Sequence, residues 1–448
     1  MFADDDEPVQ AKEAGDRKTR QAMKSKSVAP ILLALITSLL LNACAAPNTA
    51  QPTAEVDGVR VTIGFTVSKT GSLNVESTRQ TNGLNLWLKQ VNDAGGIKLR
   101  DGTVVSFDAK YYDDQSSKGS VQQLYTRLAT KDNATFLISP YSSGLTDAAA
   151  VIAEQYGKIM ISTGAASDST YKRGFSLVYQ AYTPASRYLT GAVDLLKDTD
   201  TSAKKIAILH ENDKFSTDVC NAVRDYAVAQ GYEVVFFEGY DTGTTDFAPF
   251  INKMESTAPD AILGGGHFQD GSTFAKQLYE KQLPVKLVAL LVAPPESTFA
   301  EIGDAAIGII GPSQWETQES YSAETAQKVN LPFYGPSSAE FTSSYKATYG
   351  EDPSYHAAGG YAAGLILQNA IETAGSLDPG RVKAALDAMN LLTFFGRFQF
   401  SVSPEDHGLQ IGHSMVYIQW QKDSSAALGK QSVWPTEVVT AEIVYPLR

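Results

Sequence analysis

Three short segments gather hydroxyl-bearing and small side chains densely enough to hold an anion. They are Ser68-Lys69-Thr70-Gly71-Ser72-Leu73-Asn74, Pro140-Tyr141-Ser142-Ser143-Gly144 and Thr163-Gly164-Ala165-Ala166-Ser167. Hydroxyls and free backbone amides hydrogen-bond a carboxylate, and a helix start adds unpaired N–H groups of its own. The plainer alternative is that Ser and Gly favour such turns for backbone reasons alone. Bond-making chemistry is poorly served. A Gly-x-Ser-x-Gly nucleophile elbow is absent. Ser202-Ala-Lys-Lys205 and Ser343-Ser-Tyr-Lys346 match Ser-x-x-Lys, a pattern short enough to recur by chance, and neither has partner motifs. No Gly-x-Gly-x-x-Gly follows a strand pattern, which argues against a dinucleotide. His210, His267, His356, His407 and His413 are scattered without ligand spacing, so neither a metal nor another cofactor is expected. The pattern is that of a binder and not of an enzyme.

These loops punctuate a regular alternation. Val59–Val67 is an apolar, β-branched run, and Glu76–Ala94 has helical periodicity ending at Gly95-Gly96. Strands are predicted over 104–112, 134–139 and 158–162, with helices over 117–130 and 146–156. A second series starts near Ser186: helix to 196, strand 205–210, helix 217–230, strand 232–238, helix 247–256, strand 260–263, helix 271–281 and strand 286–291. Helices follow over 337–349, 355–374 and 379–389, then a late strand over 394–400. Strand and helix in strict turn predict an α/β fold of two Rossmann-like lobes, with parallel sheets flanked by helices. In such sheets ligands sit beyond the carboxyl ends of strands, so the loops after strands are the ones to inspect.

The leader sets the compartment. Pro30 to Cys44 holds an apolar run of about a dozen residues after Lys24 and Lys26. That is short of the ~20 residues of a membrane span and suits an export signal. Residues 1–22, with Asp4-Asp5-Asp6-Glu7, read as a mis-assigned extension, and Met23 as the true start. Residues 23–43 read as the signal and 44–57 as a flexible tether. Leu41-Asn42-Ala43-Cys44 resembles the lipobox of bacterial lipoproteins, which implies lipidation at Cys44; the alternative is an ordinary signal with a chance cysteine. The expected location is extracytoplasmic, lipid-anchored on the outer face of the cytoplasmic membrane or in the periplasm. The remaining roughly 400 residues exceed one typical core. The leader carries equal numbers of basic and acidic residues, so the exported chain keeps the net charge of −13. That charge argues against nucleic acid and against wide contact with anionic lipid. With Cys44 acylated, Cys220 has no disulfide partner.

Further motifs are spread along the chain: Asn92-Asp-Ala-Gly-Gly-Ile97, Tyr112-Asp-Asp114, Phe237-Glu-Gly239 to Thr245-Asp-Phe247, Gly264-Gly-Gly266 and Ile302-Gly-Asp-Ala-Ala306. In this order the chain resembles the periplasmic solute-binding proteins of branched-chain amino acid ABC transporters, in lipoprotein form. The resemblance implies a type I periplasmic binding fold, two lobes joined by three crossovers. It implies residues 58–183 plus 314–393 as one lobe and 184–313 plus 394–448 as the other. It implies a monomer that delivers an amino acid, or a related small carboxylate or amide, to permease subunits. Matched to that family, the ligand's carboxylate and amino group fall to Ser143 with Ser142 and to Ala165 with Ser167, and the covering aromatics to Phe215 and His267 with Phe268. The family's acidic partner for the ligand ammonium falls on Leu291, a departure. Either Glu296, Asp270 or Glu316 replaces it, or the ligand lacks an ammonium. Tyr141, Phe215, Phe268 and Trp315 would then suit a larger, flatter guest. A sensor of the same fold is the second reading, and an exported α/β hydrolase the third.

Overall fold

In the computed structural model of the protein, residues 58–318 and 321–447 are described. The extension, signal, Cys44 and tether lie outside them.

The first lobe begins with β1 (Gly58–Val67), α1 (Asn74–Asp93), β2 (Ile97–Lys98), β3 (Val104–Asp113) and α2 (Lys118–Thr130). It continues with β4 (Phe136–Ile138), α3 (Ser143–Gln155), β5 (Met160–Ser162), α4 (Asp168–Tyr171) and β6 (Val178–Gln180). The strands lie in the order β2-β3-β1-β4-β5-β6, all parallel except the short edge strand β2. The second lobe holds α5 (Thr190–Thr199), β7 (Lys205–Glu211), α6 (Lys214–Ala229), β8 (Glu233–Tyr240), α7 (Ala248–Thr257), β9 (Ala261–Gly265), α8 (Phe268–Lys281), β10 (Leu287–Leu290) and β11 (Ile310–Ser313). The chain then returns through α9 (Ala323–Lys328), α10 (Ser338–Tyr349), α11 (Tyr355–Ala374), α12 (Pro379–Asp387) and the hairpin β12 (Asn390–Thr393)–β13 (Gly396–Gln399). It ends in β14 (Val416–Lys422) and β15 (Leu428–Trp434), which pair antiparallel onto β11. The second sheet has the order β15-β14-β11-β10-β9-β7-β8.

Both sheets reverse direction beside their first parallel strand. In the first, β3 lies on one side of β1 and β4 on the other; in the second, β8 and β9 flank β7 in the same way. The crevice at such a switch point opens at the carboxyl ends of the two central strands. The loops after β1, β4, β7 and β9 are therefore the ones the topology brings together.

The chain crosses between lobes three times, after β6, β11 and β13, and the crossings are tied side by side. The Thr183 amide donates to Gln314 Oε1 (2.9 Å), Thr183 Oγ1 meets His413 Nδ1 (2.8 Å), and Arg187 donates to the His413 and Gln410 carbonyls. Burial lowers the His413 pKa to about 4. One boundary moves from its expected place. Phe394, Phe395, Phe398 and Phe400 pack with Trp87 and Phe341 in the first lobe's core, because β13 folds back on β12. The final return to the second lobe comes after Phe400 instead of at residue 394. Among the described residues no helix is long and apolar enough to cross a membrane.

Candidate functional site

The cleft is walled by helix starts. Ser142 precedes α3, Asp213 precedes α6 and His267 precedes α8, each in extended conformation directly after a strand's exit loop. Asp213 accepts from the Phe215 and Ser216 amides, the expected role of an N-cap acid. Ser142 makes no such bond, so the first amides of α3 keep their capacity for a guest.

On the first lobe, Ser143 Oγ accepts N–H bonds from Ala166 (3.0 Å) and Ser167 (3.2 Å). Its own hydroxyl proton stays free to donate. The two hydroxyl loops named from the sequence are thus stitched to each other. Ser167 Oγ reaches across to the Lys214 carbonyl (3.5 Å), and the Ala165 carbonyl accepts from Gln180 (3.3 Å). Gly164 has φ +71°, and a Cβ there would lie 2.1 Å from Gln80 Oε1 and 2.6 Å from the Tyr141 ring. Only glycine fits the floor of the cleft at that point.

His267 is the meeting point of the lobes. Its Nδ1 lies 3.0 Å from Tyr141 Oη and its Nε2 lies 3.4 Å from Asp213 Oδ2. Glu76 stands 3.8 Å from Nδ1 and Glu211 3.9 Å from Nε2. Burial pulls its pKa down, but the bond to Asp213 and the surrounding carboxylates outweigh it and raise the value to about 10. At neutral pH the ring is a cation that donates from both nitrogens. The carboxyls around it diverge. Glu76, Glu211 and Asp270 are raised by burial, while Asp213 is held below its ordinary value by the His267 bond against burial. Phe215 lies edge-on to Tyr188 (5.1 Å) and tilted over His267 (5.8 Å).

A group whose pKa rises on folding stabilises fully below its unfolded value of 6.5, and that contribution fades as pH climbs toward about 10. The thermal midpoint should therefore fall between those limits more steeply in the wild type than in His267→Gln. Parallel pH profiles of the two proteins would remove the charged imidazole from the account.

Four of the sequence's candidates lie elsewhere. Trp315 is in the first lobe's core, 1% exposed, edge-on to Phe341 and Phe394, with Nε1 donating to Ser338. Glu296 is fully buried in an ion pair that spans the lobes, accepting from Arg79 of α1 (2.9 Å) and meeting His356 of α11 (2.5 Å). Glu316 pairs with Lys430, and the Phe268 ring packs on the second lobe's core. The Phe268 amide, however, crosses the cleft to Glu76 (2.9 Å). Leu291 is a buried core residue. Asp270 is at the cleft, accepting from the His267 amide (2.8 Å).

Two contiguous cavities open between the lobes, of about 160 and 190 Å³, sharing Ser72, Glu211, Thr242 and His267. A single water needs ~10–15 Å³ on the same measure, so the space admits a small organic molecule. Sequence reasoning singled out the loop that carries Ser72 but passed over Glu76, Lys118, Glu211, Asp213 and Lys214. The signal was available for three of them: Glu211-Asn-Asp-Lys-Phe215 ends a strand and caps a helix.

A family model for periplasmic binding proteins matches residues 60–425. The Leu/Ile/Val-binding protein homolog 7 of Brucella melitensis is 24% identical over 93% of this chain and 99% of that relative. The solved structure of the LivJ substrate-binding protein of Streptococcus pneumoniae with isoleucine aligns with a TM-score of 0.68 at 22% identity, over 84% of this chain and 100% of that one. A Rhodopseudomonas palustris solute-binding protein, solved with 3,4-dihydroxybenzoic acid, aligns with a TM-score of 0.70 at 21% identity, over 85% and 98%. The parallel two-lobed architecture, the three tied crossovers and the match over most of its length agree with the resemblance seen in the sequence. The chain belongs to the periplasmic binding protein family.

Proposed function

We propose that the protein is the extracytoplasmic receptor of an ABC uptake transporter, capturing a small organic carboxylate between its lobes and presenting the closed form to permease subunits. The observation that carries this is the convergence of four switch-point loops on one cleft, with Ser142, Gly144 and Leu145 at the start of α3 on one wall and Glu211, Asp213 and His267 on the other. Relatives support it, among them one solved with isoleucine and one with a dihydroxybenzoate. Ser142 and Ser143 take the carboxylate, Ala165 and Ser167 support their loop, and Tyr141, Phe215 and His267 cover the guest. Glu296, Trp315 and Phe268 act in closure and packing. A lipid on Cys44 would tether the receptor to the membrane.

The test adds candidate solutes, reads the thermal midpoint and recovers the solute. A mass-action rise with the solute returned unaltered is the expected result; a converted product would refute the receptor. Ser143→Ala should weaken a bound carboxylate by ~1.5–3 kcal/mol, the value of a charge-assisted hydrogen bond. Calorimetric titration giving unchanged affinity would take Ser143 out of the site.

A further inference from the structure

Glu211 ends β7, and Asp213 caps α6 two residues later. Strand β9 pairs in parallel with β7, His210 opposite Gly265, so the two strands release their exit loops side by side. That brings His267, at the start of α8, against the two acids although it lies 54 residues beyond Asp213. Its Nε2 is 3.4 Å from Asp213 Oδ2 and 3.9 Å from Glu211 Oε2. One donor atom from each of the three residues lies within 4.8 Å of the others. An imidazole with two carboxylates is a mixed nitrogen–oxygen set of the kind zinc and related transition metals take, at about 2.0–2.2 Å from each donor. Donors so placed on a tetrahedron stand about 3.4 Å apart, close enough to the separations here that only the carboxyl groups need turn.

A second observation is a buried oxygen without a donor. Glu211 is 5% exposed; its Oε1 accepts from Thr242, while Oε2, the atom nearest His267, has no hydrogen-bond partner. Positive charge is scarce around it. Asp270 stands across Gly266, where a Cβ would strike an oxygen of each acid, and Glu76 Oε2 is also buried without a partner. Among the described residues, His267 is the one side-chain cation within ion-pair distance of Glu76, Glu211 and Asp213. Lys214 directs its ammonium to Ser169 and Asp147 instead. Buried carboxylates are stable where they are paired or hold a metal, and Glu211 Oε2 is free for one.

The remaining bonds leave room for an ion. Asp213 accepts one amide on each oxygen, and a carboxylate oxygen has a second lone pair for a metal. Tyr141 Oη, 3.0 Å from Nδ1, holds the far side of the imidazole, as the outer partner of a ligating histidine does. The ion takes the place of the proton that Nε2 otherwise carries. Both interlobe cavities are lined by Glu211 and His267, so a coordination position not filled by protein opens on the cleft.

We infer that Glu211, Asp213 and His267 form a site for one divalent transition-metal ion such as zinc, with its open position facing the interlobe cavities. Magnesium and calcium, which take oxygen shells, do not suit the imidazole. The inference goes beyond the receptor reading and does not depend on it, since the ion needs no solute to bind.

The test strips the purified protein with a chelator and titrates it with zinc chloride, using calorimetry for affinity and elemental mass spectrometry for stoichiometry. One zinc per chain and a thermal midpoint that rises with zinc are expected. Glu211→Gln and Asp213→Asn should each weaken zinc by about 100-fold or more, beyond the cost of losing an outer partner of a metal ligand. The asparagine keeps the cap of α6. His407→Gln, whose ring pairs with Asp387, should bind zinc as the wild type does. The metal-free thermal midpoint of each variant establishes that it is folded. A wild type that binds no zinc would overturn the inference and leave the receptor standing. So would zinc held equally by the wild type, Glu211→Gln and Asp213→Asn, zinc lost equally in His407→Gln, or magnesium or calcium bound as tightly as zinc.

Discussion

Arg79→Met is expected to cost about 3–5 kcal/mol of stability, the usual penalty for stranding one member of a buried ion pair. Glu296 is fully buried and comes from the second lobe, while its partners Arg79 and His356 belong to α1 and α11 of the first. Burial alone would raise the Glu296 carboxyl; His356 and Arg79 together hold it below its ordinary value. Without the guanidinium, the carboxylate keeps only the histidine in a site closed to water. The double variant Arg79→Met/Glu296→Leu should recover part of the loss, since apolar replacement of both members of a buried pair removes the stranded carboxylate, while His356 and Glu351 lose the partners they have in the wild type. Urea denaturation of the three proteins measures both effects. An Arg79→Met midpoint equal to that of the wild type would show that the pair does not hold the lobes. Because the pair joins the lobes, the single variant should also bind solute more weakly.

Gly360→Ala should be comparably damaging, at about 3 kcal/mol or more, the upper end for overpacking a core. Helices α1 and α11 touch at backbone distance. A Cβ on Gly360 would lie 1.9 Å from the Gln80 carbonyl oxygen, and one on Gly83 would lie 1.8 Å from that of Ala357. Backbone cannot rotate away as a side chain can, so the helices must part. Helix α1 carries Glu76, Arg79 and Gln80, which face the cleft and the interlobe pair, so the same substitution should lower solute affinity. The thermal midpoint and a binding titration read the two losses. Wild-type values in both would show that the helices are not packed as described.

The parallel architecture was legible because each strand is an apolar run and each helix repeats its apolar face. The helix starts were not. The apolar periodicity of α3, α6 and α8 becomes visible at Thr146, Thr217 and Gly271, whereas the helices begin at Ser143, Lys214 and Phe268. The missing first turns carry polar residues, among them Lys214, Gln269 and Asp270, that line the cleft and interrupt the apolar pattern. The same cause hid Glu211 and Asp213. Glu296 and Trp315 were misjudged for the opposite reason. An acid after two prolines reads as exposed or ligand-facing, and only the fold brings Arg79, more than two hundred residues earlier in the chain, to cover it. Strands β14 and β15 went unseen because they break the strand–helix alternation, adding two antiparallel strands with no helix between them to a parallel sheet.

The receptor claim is met most directly by a crystal structure of the protein with the solute that co-purifies with it. Density for a small molecule enclosed between Ser142–Ser143 and Glu211–His267, its carboxylate at the start of α3, is the expected result. Solute found outside the interlobe cleft, or lobes closed on that gap by Tyr141 and His267 with solute present elsewhere, would contradict it.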